Sequence, residues 1–227
     1  TLKKIVKPVP CRHMAKNLHT YRDSYEKGIL TKDAVAKNPF EQFKKWFEVA
    51  EASEEIREVN AMTLATVNDK GEPRARVVLL KEYSEKGFVF YTNYKSEKGS
   101  AIAVHPSVCL SFFWPNLEQQ IIIKGTASKV PLEQSEAYFK VRPRKSQLGA
   151  LVSKQSAVIE NRELLEKSLQ ALEEKYADQE IPKPEHWGGY IVSPLEFEFW
   201  QGRRSRLHDR IVYRKEQDRW ILQRLQP

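Results

Sequence analysis

The chain has 227 residues and a formal net charge of +8, from 38 Lys and Arg against 30 Asp and Glu. At 41% hydrophobic and 11% aromatic it reads as folded rather than disordered, and it is long enough for one or two domains with a real core. Its two cysteines, Cys11 and Cys109, exclude a disulfide framework and a cysteine-based zinc site, and no apolar run is long enough to span a bilayer.

Sparse cysteine points to a reducing, cytoplasmic compartment. The positive excess points to an anionic partner: nucleic acid, an anionic membrane or a phosphorylated small molecule. That excess is localised. Residues 1–22 carry six basic and no acidic residues, and residues 203–214 carry five arginines and one aspartate. The stretch between them is net acidic, with 24 basic and 27 acidic residues. Residues 1–20 lack periodicity and contain Pro8 and Pro10, so they read as a flexible basic arm ahead of a single domain over 21–227. A mitochondrial transit peptide would also be basic and acid-free, but it would be amphipathic and Ser-rich, and this stretch has no serine. The first residue is Thr1 rather than Met, which suggests a natural N-terminus further upstream.

Asn38-Pro39-Phe40-Glu41 has the form of a helix start, with a capping Asn38, Pro39 at the first helical position and Glu41 as the capping-box acid. Phe40, Phe43, Trp46, Phe47 and Ala50 follow at three- and four-residue spacing and make one apolar face, a core stripe. After Asn60 the pattern turns to strands: Met62–Val67, a turn at Asn68-Asp69-Lys70-Gly71, Ala75–Leu80 and Gly87–Thr92. Ser96-Glu97-Lys98-Gly99 reads as a polar turn with the makings of an anion-binding concavity. Val108–Trp114 and Gln120–Val130 are two more strands, joined at Pro115-Asn116. A helix from Leu132 should end near Arg142, because Pro143 disfavours helix in the residue before it. A second helix, from Asn161 to about Ala177, would turn Leu164, Leu165, Leu169, Leu172 and Tyr176 inward. Trp187–Val192, Glu196–Gln201, Asp209–Arg214 and Trp220–Leu225 read as four short strands.

Sequential short strands with helices between some of them predict a mainly β (α+β) fold, an antiparallel sheet closed into a barrel. Regular βα alternation and a Gly-rich strand–turn–helix fingerprint are both missing, which argues against a Rossmann domain. The five histidines are scattered without metal-ligand spacing, so no metal site is expected.

Three segments carry candidate chemistry. In Trp200-Gln201-Gly202-Arg203-Arg204-Ser205-Arg206-Leu207-His208-Asp209-Arg210, an extended chain after Ser205 would put Arg206, His208 and Arg210 on one face. Such a row fits a charged edge strand or a bound anion; the neighbouring Trp and Gly favour a planar, charged ligand. Tyr138 and Arg142 share a helix face, and Ser146 lies four residues further on. Together they are plausible phosphate donors, although a cation near a helix C-terminus is also ordinary dipole complementarity. Arg76-Val77-Val78-Leu79-Leu80-Lys81 is an apolar strand bounded by two cations.

Taken with Phe90-Tyr91-Thr92-Asn93, Glu118-x-Gln120, Arg142-Pro143-x2-Ser146-Gln147, Val152-Ser153-x-Gln155-Ser156, Trp187-Gly188-Gly189 and the terminal Arg224-Leu225-x-Pro227, these segments resemble the pyridoxine/pyridoxamine 5′-phosphate oxidase family. The resemblance runs from about Tyr21 to Pro227 with its motifs in order. It implies a split antiparallel β-barrel of FMN-binding type with flanking helices, a homodimer with FMN at the subunit interface, and no nucleic-acid or membrane partner. It implies oxidation of pyridoxamine 5′-phosphate and pyridoxine 5′-phosphate by O2 to pyridoxal 5′-phosphate, with release of H2O2.

Carried over position by position, the implied FMN set is Arg76, Val77, Val78, Leu79, Leu80, Lys81, Tyr91, Thr92, Lys98, Gln120, Gln155, Ser156, Trp200 and Arg210. The implied substrate set is Arg22, Tyr25, Lys81, Tyr138, Arg142, Ser146, Arg206, Leu207 and His208, with Arg206 and His208 as the catalytic pair. One position departs from the family pattern: Glu97 stands where an FMN-phosphate arginine is usual, so either Glu97 points to solvent and FMN relies on Arg76 and Lys98, or FMN is held more weakly, and the second is the expectation. The competing classes are a split-barrel flavoprotein with another substrate, a carrier of pyridoxal phosphate without turnover, and a basic nucleic-acid binder. The acidic middle of the chain speaks against the last.

Overall fold

The computed structural model describes residues 17–21 and 23–227; most of the expected basic arm lies outside the described residues. Nine strands form one antiparallel sheet: β1 (Ala61–Val67), β2 (Pro73–Leu79), β3 (Glu82–Ser84), β4 (Gly87–Asn93), β5 (Ser107–Trp114), β6 (Gln119–Lys129), β7 (Trp187–Gln201), β8 (Asp209–Glu216) and β9 (Arg219–Leu225). The order is β2-β1-β5-β6-β7-β4-β3, with β8 and β9 attached to β7.

The branch at β7 gives the fold its shape. Its first half pairs with β4, from Trp187 opposite Asn93 to Val192 opposite Phe88. Its second half pairs with β8, from Glu196 opposite Arg214 to Gln201 opposite Asp209. On the other edge β6 follows it from Tyr190 to Gln201. Between the two halves Pro194 has no N–H to give, and the register slips at Lys124/Gly125 opposite it. A Cβ on Gly125 would sit 2.3 Å from the Ser193 carbonyl oxygen, so only glycine lets the strands approach there. The sheet therefore curls and splits into a half-barrel. Beyond β2, the Lys81 N–H reaches the Val89 carbonyl on β4 at 2.8 Å.

Helix α1 (Pro39–Glu51) fills the concave side. Asn38 caps it, its side-chain oxygen accepting from the Phe40 N–H at 2.8 Å. Phe43 is fully buried and meets Phe47, Tyr83, Phe88 and Phe112 with ring centroids 4.8–5.5 Å apart. Burying such a side chain contributes about 2–3 kcal/mol. The stripe read from the sequence is thus the core stripe. Among the described residues no helix is long and apolar enough to cross a membrane.

Several elements differ from expectation. The two strands read at 187–192 and 196–201 are one strand, β7, and β3 was not anticipated. Ser96–Gly99 opens a helix, α2 (Glu97–Val104), with the Ser96 hydroxyl accepting from Gly99 N–H at 3.3 Å. Gly99 hides that helix from a propensity reading, yet a Cβ there would lie 2.1 Å from the Tyr94 carbonyl oxygen. Helix α3 (Leu132–Lys140) stops two residues short of Arg142, and α4 (Arg144–Val152) starts directly after Pro143. On α5 (Arg162–Lys175), Leu164 and Leu165 are exposed rather than inward. Leu169, Leu172 and Tyr176 pack on a second, smaller core of Phe139, Leu148, Ile181 and Trp187.

Candidate active site

A cleft of about 890 Å³ opens where β2 and β4 part, closed at its ends by α2, α3 and α4. Arg76, Val77, Val78, Leu79, Lys81, Tyr91, Thr92, Lys98, Tyr138, Arg142, Ser146, Gln155 and Ser156 all line it. Thirteen of the residues proposed from the sequence thus converge, from five separate segments. Leu80 does not: it follows directly after β2, is 4% exposed and belongs to the main core.

One end of this cleft is built for an anion. Lys98, on the first turn of α2, is buried and donates to the Gln155 side-chain oxygen at 3.1 Å and the Ser96 hydroxyl at 3.4 Å. Burial, then the nearby Arg76, pushes its pKa down. Arg76 donates to the Thr66 hydroxyl at 2.7 Å and the Leu64 carbonyl at 3.2 Å, and burial lowers its pKa too. Glu97 does not point away from the cations. Its carboxylate pairs with Arg74, a lining residue absent from the sequence reading, and its N–H donates to the Ser156 hydroxyl at 3.3 Å. The Arg74 contact holds the Glu97 carboxyl below its usual range.

At the other end, Tyr138 comes from α3, Arg142 from the turn after it and Ser146 from α4. The Arg142 guanidinium lies 4.6 Å from the centroid of the Trp187 ring. Its Nη1 is buried and has no hydrogen-bond partner. Burial lowers its pKa, the mark of a desolvated cation. Tyr138 stacks on Tyr91 with centroids 4.0 Å apart.

A second cleft, of about 690 Å³, is lined by Tyr21, Asp23, Ser24, Tyr25, Trp200, Arg203, Ser205, Arg206 and His208. The chain here is not extended, as the sequence reading supposed. It makes a tight turn over Arg204–Arg206, with Ser205 and Arg206 at φ 58° and 61°, and the strand restarts at Asp209. Arg206 therefore does not continue a row with His208 and Arg210. Asp209 pins the turn: its buried carboxylate accepts from the Leu30 N–H at 3.0 Å and from Arg203 at 2.8 Å, and pairs with Arg224. Tyr25 meets the Trp200 ring edge-on at 5.8 Å and the His208 ring at 5.8 Å. Gly202 permits this approach, since a Cβ there would lie 2.8 Å from the Tyr25 Cβ.

Gln120, Trp200 and Arg210 are cross-strand neighbours in register on one sheet face. Only Trp200 of the three lines a cleft. Leu207 is 67% exposed and lines neither, and Arg22 lies outside the described residues. The two clefts share no lining residue.

Residues 49–176 match the family model described as pyridoxamine 5′-phosphate oxidase. The chain belongs to that family. Residues 187–227 match the C-terminal dimerisation region of pyridoxine 5′-phosphate oxidase. Relatives named pyridoxine/pyridoxamine 5′-phosphate oxidase include one from Christiangramia forsetii, 51% identical over 94% of this chain and 100% of its own. Another, from Flavobacterium psychrophilum, is 53% identical over 93% of this chain and 100% of its own. Among solved structures, PhzG from Burkholderia lata 383, crystallised with tetrahydrophenazine-1-carboxylic acid, superimposes with TM-score 0.81 at 27% identity, covering 88% of this chain and 98% of that one. The pyridoxamine 5′-phosphate oxidase family thus accounts for the split half-barrel, and its dimerisation region is the segment that carries Trp200, Arg206, His208 and Arg210.

Proposed function

We propose that this chain is an FMN-dependent pyridoxine/pyridoxamine 5′-phosphate oxidase that works as a homodimer, producing pyridoxal 5′-phosphate for vitamin B6 salvage. The observation that carries this reading is Arg142, a desolvated guanidinium whose buried Nη1 lacks a partner in a cleft shared with Arg76, Lys81 and Lys98. An unmatched buried donor is costly, and a phosphate oxygen relieves it. The donors fall into two sets. Arg76, Lys98, Gln155 and Ser156 suit the phosphate of FMN, and Lys81, Tyr138, Arg142 and Ser146 suit that of the substrate. A cleft of about 890 Å³ is large enough for a cofactor of this size, so the residues present fit the group.

FMN, when bound, supplies the redox chemistry, accepting two electrons from the substrate and passing them to O2. The chain's own residues bind and orient. The phosphate clamp acts at a distance from the reacting carbon, so its contribution is alignment. Arg206 and His208 face the substrate ring. His208 accepts the Arg203 backbone N–H at Nδ1, so its Nε2 carries the ring proton and donates toward the ligand. Because the two clefts of one chain share no residue, we assign Arg206 and His208 to the site of the neighbouring subunit. FMN and substrate then lie at the interface, and Gln120, Trp200 and Arg210 face FMN from across it.

The test is the absorption spectrum of the purified protein before and after anaerobic pyridoxamine 5′-phosphate, followed by H2O2 on readmitting air. A yellow protein that bleaches and then yields H2O2 supports the reading. A colourless protein that cannot be loaded with FMN, or a yellow one that the substrate does not bleach, overturns it.

A further inference from the structure

Trp187-Gly188-Gly189 opens β7 and has no role so far. Trp187 is 5% exposed and lines the first cleft. Its ring is within 13° of parallel to Tyr91 and within 12° of parallel to Tyr138, at 5.4 and 6.2 Å. Its face carries the Arg142 guanidinium at 4.6 Å, and Phe139 meets it edge-on at 5.1 Å. Among the described residues no carboxylate pairs with Arg142, so the aromatic face is what holds this cation while its Nη1 stays free.

The two glycines make room for the same assembly. A Cβ on Gly189 would come within 2.8 Å of the Tyr91 ring, and one on Gly188 within 2.2 Å of the Tyr94 hydroxyl and 2.9 Å of the Ser135 hydroxyl. Ser135 lies on α3, one turn before Tyr138, and accepts the Gly189 N–H at 3.2 Å. The start of β7 thus touches two of the four clamp residues and what supports them: the tyrosine stack with Tyr138, the helix that carries it, and Arg142.

We propose that Trp187 is a positioning residue for recognition of the substrate phosphate, with Gly189 holding the space that the Tyr91–Tyr138 stack needs. Trp187 orients Arg142 through its π face, so phosphorylated B6 compounds bind and their dephosphorylated forms do not. This rests on the substrate reading above, and the experiment separates the two. The FMN-loaded protein is titrated with pyridoxal 5′-phosphate and with pyridoxal, for wild type, Trp187→Leu, Trp187→Phe and Gly189→Ala.

Wild type should prefer the phosphorylated ligand strongly. Trp187→Leu stays apolar but loses the π face. It should weaken pyridoxal 5′-phosphate binding by about tenfold while leaving pyridoxal binding and FMN affinity unchanged. Its KM for pyridoxamine 5′-phosphate should rise with little change in kcat. Trp187→Phe should restore most of the loss. If Trp187→Leu does not fold, Gly189→Ala should lose phosphate discrimination in the same way. A Leu variant that discriminates like wild type, or a folded Ala variant that does so when Leu fails, overturns the proposal. A wild type that binds the two ligands equally overturns the substrate reading instead.

Discussion

The backbone N–H of Arg203 donates to His208 Nδ1 at 3.1 Å, across the turn that holds Arg206. That bond fixes a neutral ring with its proton on Nε2. Burial lowers the pKa of His208 and the Arg206 charge lowers it further, both against a smaller opposing effect of Asp209.

His208 should therefore titrate below 6.5, the value of an unperturbed histidine. The unfolded chain takes up this proton first as pH falls, so the stability tied to the neutral ring is present above about pH 6.5 and is lost as pH drops through the folded pKa. Ring-nitrogen NMR should show the depressed midpoint, and Arg206→Ala should move it upward. A midpoint above 6.5 in the wild type would contradict the tautomer assignment.

Arg206 makes no ion pair among the described residues, and its exposed side chain is free to face a ligand. Arg206→Ala should lower kcat about 100-fold through lost alignment while leaving the flavin spectrum and FMN affinity intact. Near-normal turnover would remove Arg206 from the site.

Glu97 sets an electrostatic question at the cofactor end. Because Arg74 keeps its carboxylate ionised well below neutral pH, Glu97→Arg should tighten FMN binding at any pH above about 5, by up to about tenfold at low salt. Arg74→Ala should have the opposite sign, since it leaves Glu97 uncompensated beside the phosphate. Flavin fluorescence titrations of the apoprotein at low and high salt decide both. Equal dissociation constants would exclude the pair from the electrostatics of the site.

Burial works to raise the pKa of Asp209, but the Leu30 N–H, Arg224 and Arg203 outweigh it and hold it low. Its contribution to stability is present above the ordinary carboxylate range, near pH 4, and is lost as pH falls through the lower folded value. Asp209→Ala leaves the buried Leu30 N–H unpaired and removes the carboxylate from two part-exposed arginines, and should cost about 1–3 kcal/mol. Urea unfolding of wild type and variant at pH 7 and at a pH well below 4 measures both the loss and its pH dependence.

The sequence revealed features where one local rule was decisive. Asn38-Pro39 set the start of α1, aromatic spacing gave its buried face, and alternation gave most strands within a residue or two. It concealed features where tertiary contact overrode local preference. Gly99 disguises α2 because it is there for the Tyr94 carbonyl, not for helix propensity. Arg206 stands in a left-handed turn that no period-two pattern could reveal, because Asp209 holds that turn from outside the segment. For the site, the identity of the donors was legible and their partition was not. Lys81 and Arg142 look equivalent to Arg206 in one dimension, and only the curl of the sheet puts them in different clefts. Trp187 was visible as part of a motif, but its work depends on what stacks against it in space.

The partition of donors between two clefts has a genetic consequence. If each site borrows its second half from the neighbour, a chain lacking Arg142 and a chain lacking Arg206 are both inactive alone. In a mixed dimer, one site collects both lesions and the other collects neither. Two null alleles would then complement each other inside a single molecule, and the hybrid would regain up to half the activity of the wild-type pair.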